Sequence, residues 1–161
     1  MAVLTTRSIW AALSNQLVNV GTLLAPDWQI VTKATSRTLS SKVSAAQINA
    51  GYTLLPAVPG YKYRLIDAYL VAIGGAVTGP TTIDINGTQA AALVKLLSVA
   101  IAALTQNAVV RAGAANATVL AGGASFDECD VNTPITVTRA GTDISVATHV
   151  DVNVTYEMIK A

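Results

Sequence analysis

The sequence is poor in charged residues. Asp, Glu, Lys and Arg make up 12% of the 161 residues, about half the usual share for a soluble domain. The ten basic residues are scattered and the net charge is +1, whereas nucleic-acid binding normally needs a clustered basic surface. We therefore expect no nucleic-acid partner. A monomer with so little charge is also poorly protected from association, which favours a chain whose surface contacts other subunits.

Cysteine and histidine each occur once. A single cysteine, Cys129, cannot form an intrachain disulfide, which argues against a disulfide-stapled secreted domain. His149 is expected on the polar face of a strand, in solvent, because no nucleophile stands near it in a recognisable motif. The sequence thus offers no catalytic residues, and we expect no enzymatic activity.

Signals for membranes, cofactors and metals are weak as well. The longest charge-free run near the N-terminus, residues 8–26, is interrupted by polar residues and predicts neither a signal peptide nor a membrane span. The glycine-rich stretches "AIGGAVTG" and "LAGGAS" do not match the motifs that bind nucleotide phosphates. The acidic stretch "FDECD" and the short "DING" lack the full spacing of a calcium loop. We expect no cofactor and no metal.

Apolar residues are abundant, at 52% of the chain with 28 alanines, and their spacing indicates strands. From Ile144 to Met158 apolar residues occupy alternate positions, which is typical of a half-buried β-strand. The segment Pro134 to Arg139 alternates too, and "AGTD" at residues 140–143 follows it. These features predict an antiparallel hairpin at the C-terminus.

A second hairpin is predicted around "TTIDINGTQ", because Asn86-Gly87 can form a type I′ turn. The stretch "LVKLLSVAIAALTQNAVVRAG", residues 93–113, lies on its return side and is apolar on both faces of a strand. Periodicity alone does not separate such a strand from a buried helix. The preceding turn favours the strand. Residues 61–75 predict another strand that is apolar on both faces.

One short helix is expected. Ser44 and Gln47 have the spacing of a capping box, and Gly51 can end the helix in a left-handed conformation. The fold class is therefore all-β, an antiparallel β-sandwich or jelly-roll-like domain. We divide the chain into an N-terminal arm with the first strands, residues 1–43, and a β-sandwich domain, residues 44–161.

The N-terminal part has no clean period but holds both tryptophans. It is either an arm that docks on a neighbour or an ordinary edge strand with a core tryptophan. The candidate interface residues are Trp10, Leu17, Trp28, Tyr61 and Tyr63.

Three stretches together resemble a known family. They are "AAQINAGYTLLPAVPGYKYRLIDAYLVAIGG" (45–75), "IAALTQNAVVRAG" (101–113) and "ITVTRAGTDISVATHVDVNVTY" (135–156). In order and composition they are similar to the decoration, or cement, proteins on the heads of tailed double-stranded DNA phages. Residues 1–43 depart most from the pattern.

This resemblance implies an all-β module that forms a homotrimer and binds the major capsid protein on the outer capsid surface. It also implies a location on the virion after assembly in the host cytoplasm, without a membrane partner. Similar compositions occur in other virion structural proteins, such as tail, fibre or capsid subunits, and in ligand-binding adhesin modules. These remain the alternative functions.

Overall fold

The computed structural model describes residues 16–19, 28–31 and 36–161. The chain divides into two compact units, residues 1–35 and residues 36–161. In the first unit, β1 (Gln16–Asn19) pairs antiparallel with β2 (Trp28–Val31).

The second unit contains two antiparallel sheets. The four-stranded sheet has the order β3-β11-β5-β8, with bounds β3 (Ser36–Ser44), β5 (Tyr61–Ile73), β8 (Val109–Arg111) and β11 (His149–Lys160). The five-stranded sheet has the order β4-β10-β6-β7-β9, with bounds β4 (Tyr52–Leu55), β6 (Pro80–Gln89), β7 (Ala92–Ala100), β9 (Ala117–Ala121) and β10 (Ile135–Gly141). The two sheets pack together around one apolar core. The predicted all-β antiparallel sandwich is confirmed, and it begins at Ser36, before the boundary expected from the sequence.

The core follows from alternation along the central strands. On β11 the residues Val150, Val152 and Val154 are fully buried, since a strand turns every second side chain to the same face. The other sheet contributes inward residues of the same kind, among them Ile83, Ile85, Val99 and Val137.

Helix α1 (Ala45–Ala50) links the two sheets between β3 and β4. The capping box is confirmed: the Gln47 amide donates to the Ser44 hydroxyl at 3.2 Å, and the Ser44 amide donates to the Gln47 side chain at 2.9 Å. Gly51 ends the helix at φ 83°, and Ile48 is fully buried. A short 3₁₀ helix, Ile101–Ala103, follows β7.

The β6–β7 hairpin exists, but its turn is not at Asn86-Gly87. β6 continues to Gln89, and the turn residues are Ala90 and Ala91, with φ of 50° and 62°. The carboxylate of Asp130 accepts hydrogen bonds from both turn amides, at 3.1 and 2.7 Å. This side chain stabilises a left-handed turn for which glycine or asparagine would be the usual choice.

The predicted C-terminal hairpin is wrong. β10 pairs with β4 and β6 in the five-stranded sheet, whereas β11 pairs with β3 and β5 in the other sheet. Residues 142–148 connect the two sheets instead of closing a tight turn, and the last strand begins at His149, not at Ile144. Ile144 is nevertheless buried, while Val146 is 54% exposed.

Two β-bulges explain why β5 and β7 carry apolar residues in both phases. On β7, Leu97 pairs with Ile85 and Lys95 with Asn86, so that Leu96 is the extra residue. On β5 the extra residue is Ile66, because Leu65 and Asp67 pair with consecutive residues of β11. A bulge changes the phase of the inward side chains, and Val94, Leu96, Leu97 and Val99 are consequently all buried. Of the predicted stretch 93–113, residues 93–100 form the strand, whereas Ile101–Ala103 form the 3₁₀ helix and the next strand begins only at Val109. The assignment of the faces of β7 from strict alternation is wrong.

Candidate interaction surface

Exposed apolar side chains lie on the outer face of the four-stranded sheet, along β5 and β8. Val71 and Val109 are directly opposite each other, and Tyr69 is opposite Arg111. Val109 is 65% exposed and Tyr69 is 36% exposed. Cross-strand neighbours on one face lie about 5 Å apart. Tyr69, Val71 and Val109 therefore form one apolar stripe, which Arg111 flanks.

A second apolar group surrounds a narrow opening between the two sheets. Ile66, Val119 and Phe126 line it and are 39%, 43% and 55% exposed. Both bulge residues, Ile66 and Leu96, belong to its lining. Its cavity volume is about 30 Å³, far below the roughly 300–1,000 Å³ of small-molecule sites. The opening therefore suits contact with side chains of a partner better than enclosure of a small ligand.

An ion pair joins the stripe to the opening. Arg111 Nη2 lies 2.5 Å from Asp67 Oδ2, and Asp67 also lines the opening. The hydrogen bond to Asp67 raises the pKa of Arg111 above its usual value, so Arg111 stays charged. We call the combined area the β8 surface, defined as Ile66, Asp67, Tyr69, Val109, Arg111, Val119 and Phe126. Exposed aromatic, aliphatic and arginine side chains in one area are typical of protein–protein interfaces.

The outer face of the five-stranded sheet is polar by contrast. Asp84 is 2% exposed, with its carboxylate bound by Lys95 Nζ at 2.8 Å and by the Ser98 hydroxyl at 2.6 Å. Asn86, 3% exposed, donates to the Thr138 hydroxyl at 2.7 Å. These polar groups satisfy one another across neighbouring strands, which accounts for their burial.

Asp127, Glu128 and Asp130, the acidic residues of "FDECD", have structural contacts. Asp130 binds the β6–β7 turn, Asp127 accepts from the Ser125 hydroxyl at 3.0 Å, and Glu128 lies 3.5 Å from Arg64. Among the described residues no group of three or more His, Cys, Asp or Glu side chains is placed to hold a metal ion. In the same part of the chain, no helix is long and apolar enough to cross a bilayer.

His149 and Cys129 are both buried. His149 is 8% exposed with Nε2 3.4 Å from Asp151 Oδ1, so its predicted place in solvent is wrong: the strand begins at this residue, and its ring is covered. Cys129 is 1% exposed. Burial is the main cause that raises the pKa of its thiol, and the charge of Asp130 adds to it; the thiol is therefore unreactive in the folded chain.

The five predicted interface residues are divided between the two units of the chain. Trp10 lies outside the described residues, and Leu17 and Trp28 belong to β1 and β2. Tyr61 begins β5 and is half-buried. Tyr63 does not lie at the surface, because its side chain is only 4% exposed. Its hydroxyl donates to the Pro56 carbonyl at 2.8 Å, and its ring packs edge-on against Tyr156. Tyr63 is a core residue and offers no surface to a partner.

The β8 surface was not anticipated from the sequence. Ile66 and Val119 have the residue types of ordinary strand positions, and the bulge at Ile66 has no sequence signature of its own. Phe126 was the available signal, because it is the only phenylalanine in the chain and stands in a polar loop.

Comparisons with known proteins found no similarity. No family model matches the sequence, and neither the curated proteins nor the solved structures contain a match.

Proposed function

We propose that this protein is a capsid decoration, or cement, protein that binds the outer head surface of a tailed double-stranded DNA phage and stabilises the shell. Its partners are the major capsid protein and further copies of itself, as a homotrimer, and it acts without catalysis or a cofactor. The order of segments described above supports the proposal, and an all-β sandwich is the fold which that family implies.

The observation that carries the proposal is the β8 surface. A chain with 12% charged residues presents a joined apolar area containing Val109 at 65% and Phe126 at 55% exposure. Apolar areas of this kind mark protein–protein contacts. A partner that buries this area removes it from water, and the central Arg111–Asp67 pair gives the contact a defined orientation.

Shell stabilisation follows from mass action. A protein that binds the assembled shell but not its separated subunits stabilises the assembled state by RT ln(1 + [L]/Kd) per site. A subunit that contacts several neighbouring capsomers at the same time stabilises the shell in this way, even when the free energy of each single contact is small. No chemical step is needed for the effect.

The proposal is tested with heads that lack the protein. Such heads should rupture at a lower temperature, or on chelation, than complete heads, and purified protein added back should restore their resistance. Heads that are equally robust with and without the protein would overturn the proposal.

A surface variant makes the same experiment specific. Phe126→Ser should weaken head binding by about tenfold or more, the effect of removing a central aromatic contact. Leu93→Ser is the matched control, since Leu93 is an apolar side chain 71% exposed on β7, outside the β8 surface. A protein that labels the tail instead of the head, or whose melting temperature rises with glycans and not with heads, would favour the alternative functions.

A further inference from the structure

One of the four sheet edges in the sandwich differs from the other three. β4, β8 and β9 are edge strands of four, three and five residues, and short edge strands are a usual protection against unwanted pairing. β3 is an edge strand of nine residues that pairs with β11 without a register shift. It contains neither proline nor glycine, and within the described part of the chain it pairs on one side only.

The backbone groups that point away from β11 can be identified from the hydrogen bonds of the sheet. The Ala112 amide donates to the Ala68 carbonyl at 2.8 Å on the β8 side, so the even-numbered residues of this part of β5 bond toward β8. Its odd-numbered residues therefore bond toward β11. The odd-numbered residues of β11 pair with these and bond toward β5, so the even-numbered residues of β11 bond toward β3. They pair with Leu39, Ser41 and Val43, whose backbone groups therefore point toward β11.

The even-numbered residues of β3 point their backbone groups away from β11. In the middle of the strand these are the amides and carbonyls of Thr38, Ser40 and Lys42, which no other described strand pairs with. The Ala45 amide, which donates to the Thr148 carbonyl at 3.2 Å, fits this assignment because 45 continues the odd series. Ser40 is solvent-exposed and lies at the middle of the strand.

β3 is complementary to a second copy of itself. An antiparallel pair centred on Ser40 overlaps all nine residues, and places Arg37 opposite Val43 and Thr38 opposite Lys42. No two basic residues are then directly opposite, which is the arrangement that would oppose pairing. The charge of Lys42 also has Asp151 opposite it on β11 in the same copy. In this register no two like-charged side chains are directly opposite each other.

We propose that two copies of this protein pair through their β3 edges across a two-fold axis at Ser40, which joins their four-stranded sheets into one. The contact is isologous and uses main-chain hydrogen bonds. It is separate from the β8 surface, at the opposite edge of the same sheet. The pairing goes beyond the proposed function, because it is a second contact. The β3 edge remains accessible when a partner binds the β8 surface.

Cross-linking of the full-length chain tests the pairing directly. In the paired strands the two Ser40 Cα atoms lie about 5.5 Å apart, within the range that a disulfide spans. Mild oxidation of Ser40→Cys should yield a covalent dimer. Thr38→Cys is the matched control, because Thr38 is also exposed on the same strand. In the paired strands the two Thr38 residues are four residue pairs apart, which is too far for a disulfide. The Thr38→Cys protein should therefore run as a monomer on a denaturing gel. Failure of Ser40→Cys to cross-link, or equal cross-linking of both variants, would overturn the proposal.

A second variant tests the pairing without a covalent bond. Ser40→Pro removes one outward amide and leaves the bonds to β11 in place. In sedimentation equilibrium its particle mass should be lower than that of the wild type, while Ser40→Ala keeps the wild-type mass and both variants keep the wild-type circular dichroism. Equal masses for Ser40→Pro and the wild type would contradict the pairing. Both readouts are made without phage particles, so a failure of the decoration proposal would leave them unchanged.

Discussion

Gly87 lies inside β6, and atoms of neighbouring residues occupy the space that a side chain at this position would need. A Cβ atom built there would come within 2.5 Å of the Cys129 Sγ atom and 3.0 Å of a Leu96 methyl carbon. The glycine thus permits the close packing of β6, β7 and the loop before β10. Its role is in packing, although its place after Asn86 in the sequence predicted a turn.

Gly87→Ala should therefore destabilise the fold by about 1–3 kcal/mol, the usual cost of overpacking a core. Urea unfolding followed by circular dichroism measures this change. Cys129→Ala in the same chain removes the closest atom and should restore part of the loss. A Gly87→Ala protein as stable as the wild type would show that this space is not filled.

Cys129 links stability to alkaline pH. Burial, the largest cause, raises the pKa of its thiol above the ordinary 9.0, so the folded chain retains a proton which the unfolded chain releases. Stability from this group is complete below pH 9.0 and declines as the pH rises toward the folded-state value. The stability of wild type minus that of Cys129→Ala should therefore fall as the pH rises through and above 9.0. The subtraction removes the parallel effect of Tyr63, because burial raises the pKa of that hydroxyl in both proteins. A difference in stability that stays constant with pH would contradict the assignment to Cys129.

At the scale of the elements, the bulge at Leu96 decides which side chains of β7 reach the core. Strict alternation puts Leu93 and Leu97 on the same face, yet Leu93 is 71% exposed and Leu97 is 1% exposed. Leu97→Ala should cost about 2–5 kcal/mol, as for other buried leucines. Leu93→Ala should change stability by less than about 0.5 kcal/mol. Thermal or urea unfolding measures both, and similar losses for the two variants would argue against the bulge.

Much of this element structure was accessible from the sequence because it rests on local interactions. The capping box at Ser44 and Gln47, the alternation of Val150, Val152 and Val154, and the existence of the β6–β7 hairpin are all short-range signals. The partners of β10 and β11 were not accessible, since a strand's period records which face is buried and not which strand lies beside it. The turn at Ala90-Ala91 was missed because its stabilising carboxylate, Asp130, is distant in sequence.

The candidate site was less accessible than the fold. The β8 surface depends on the bulge at Ile66 and on the pairing of β8 with β5, two features that arise from contacts between segments distant in sequence. The predicted interface set relied on aromatic residues, and burial removed Tyr63 from it. Exposure is a property of the packed chain, so residue type alone did not identify the surface.

At the scale of the whole molecule, residues 36–161 should fold without the preceding segment. The buried core residues of the sandwich lie between Val43 and Val154, and Ser36–Ala161 forms a compact unit of its own. Deletion of residues 1–35 should leave the circular dichroism spectrum and a cooperative melting transition in place while weakening assembly, as expected if this segment docks on a neighbour. An unfolded or aggregated truncation product would show instead that the segment supplies part of the core.

The central claim is that this protein binds the outside of a phage head. Its most direct test is a cryo-electron microscopy map of the particles with which the protein co-purifies. The account predicts density for the two-sheet sandwich outside the shell, with Val109 and Phe126 covered by a neighbouring subunit. Sandwich density confined to the tail or fibres, or heads without any such density although the protein is present in the sample, would contradict it.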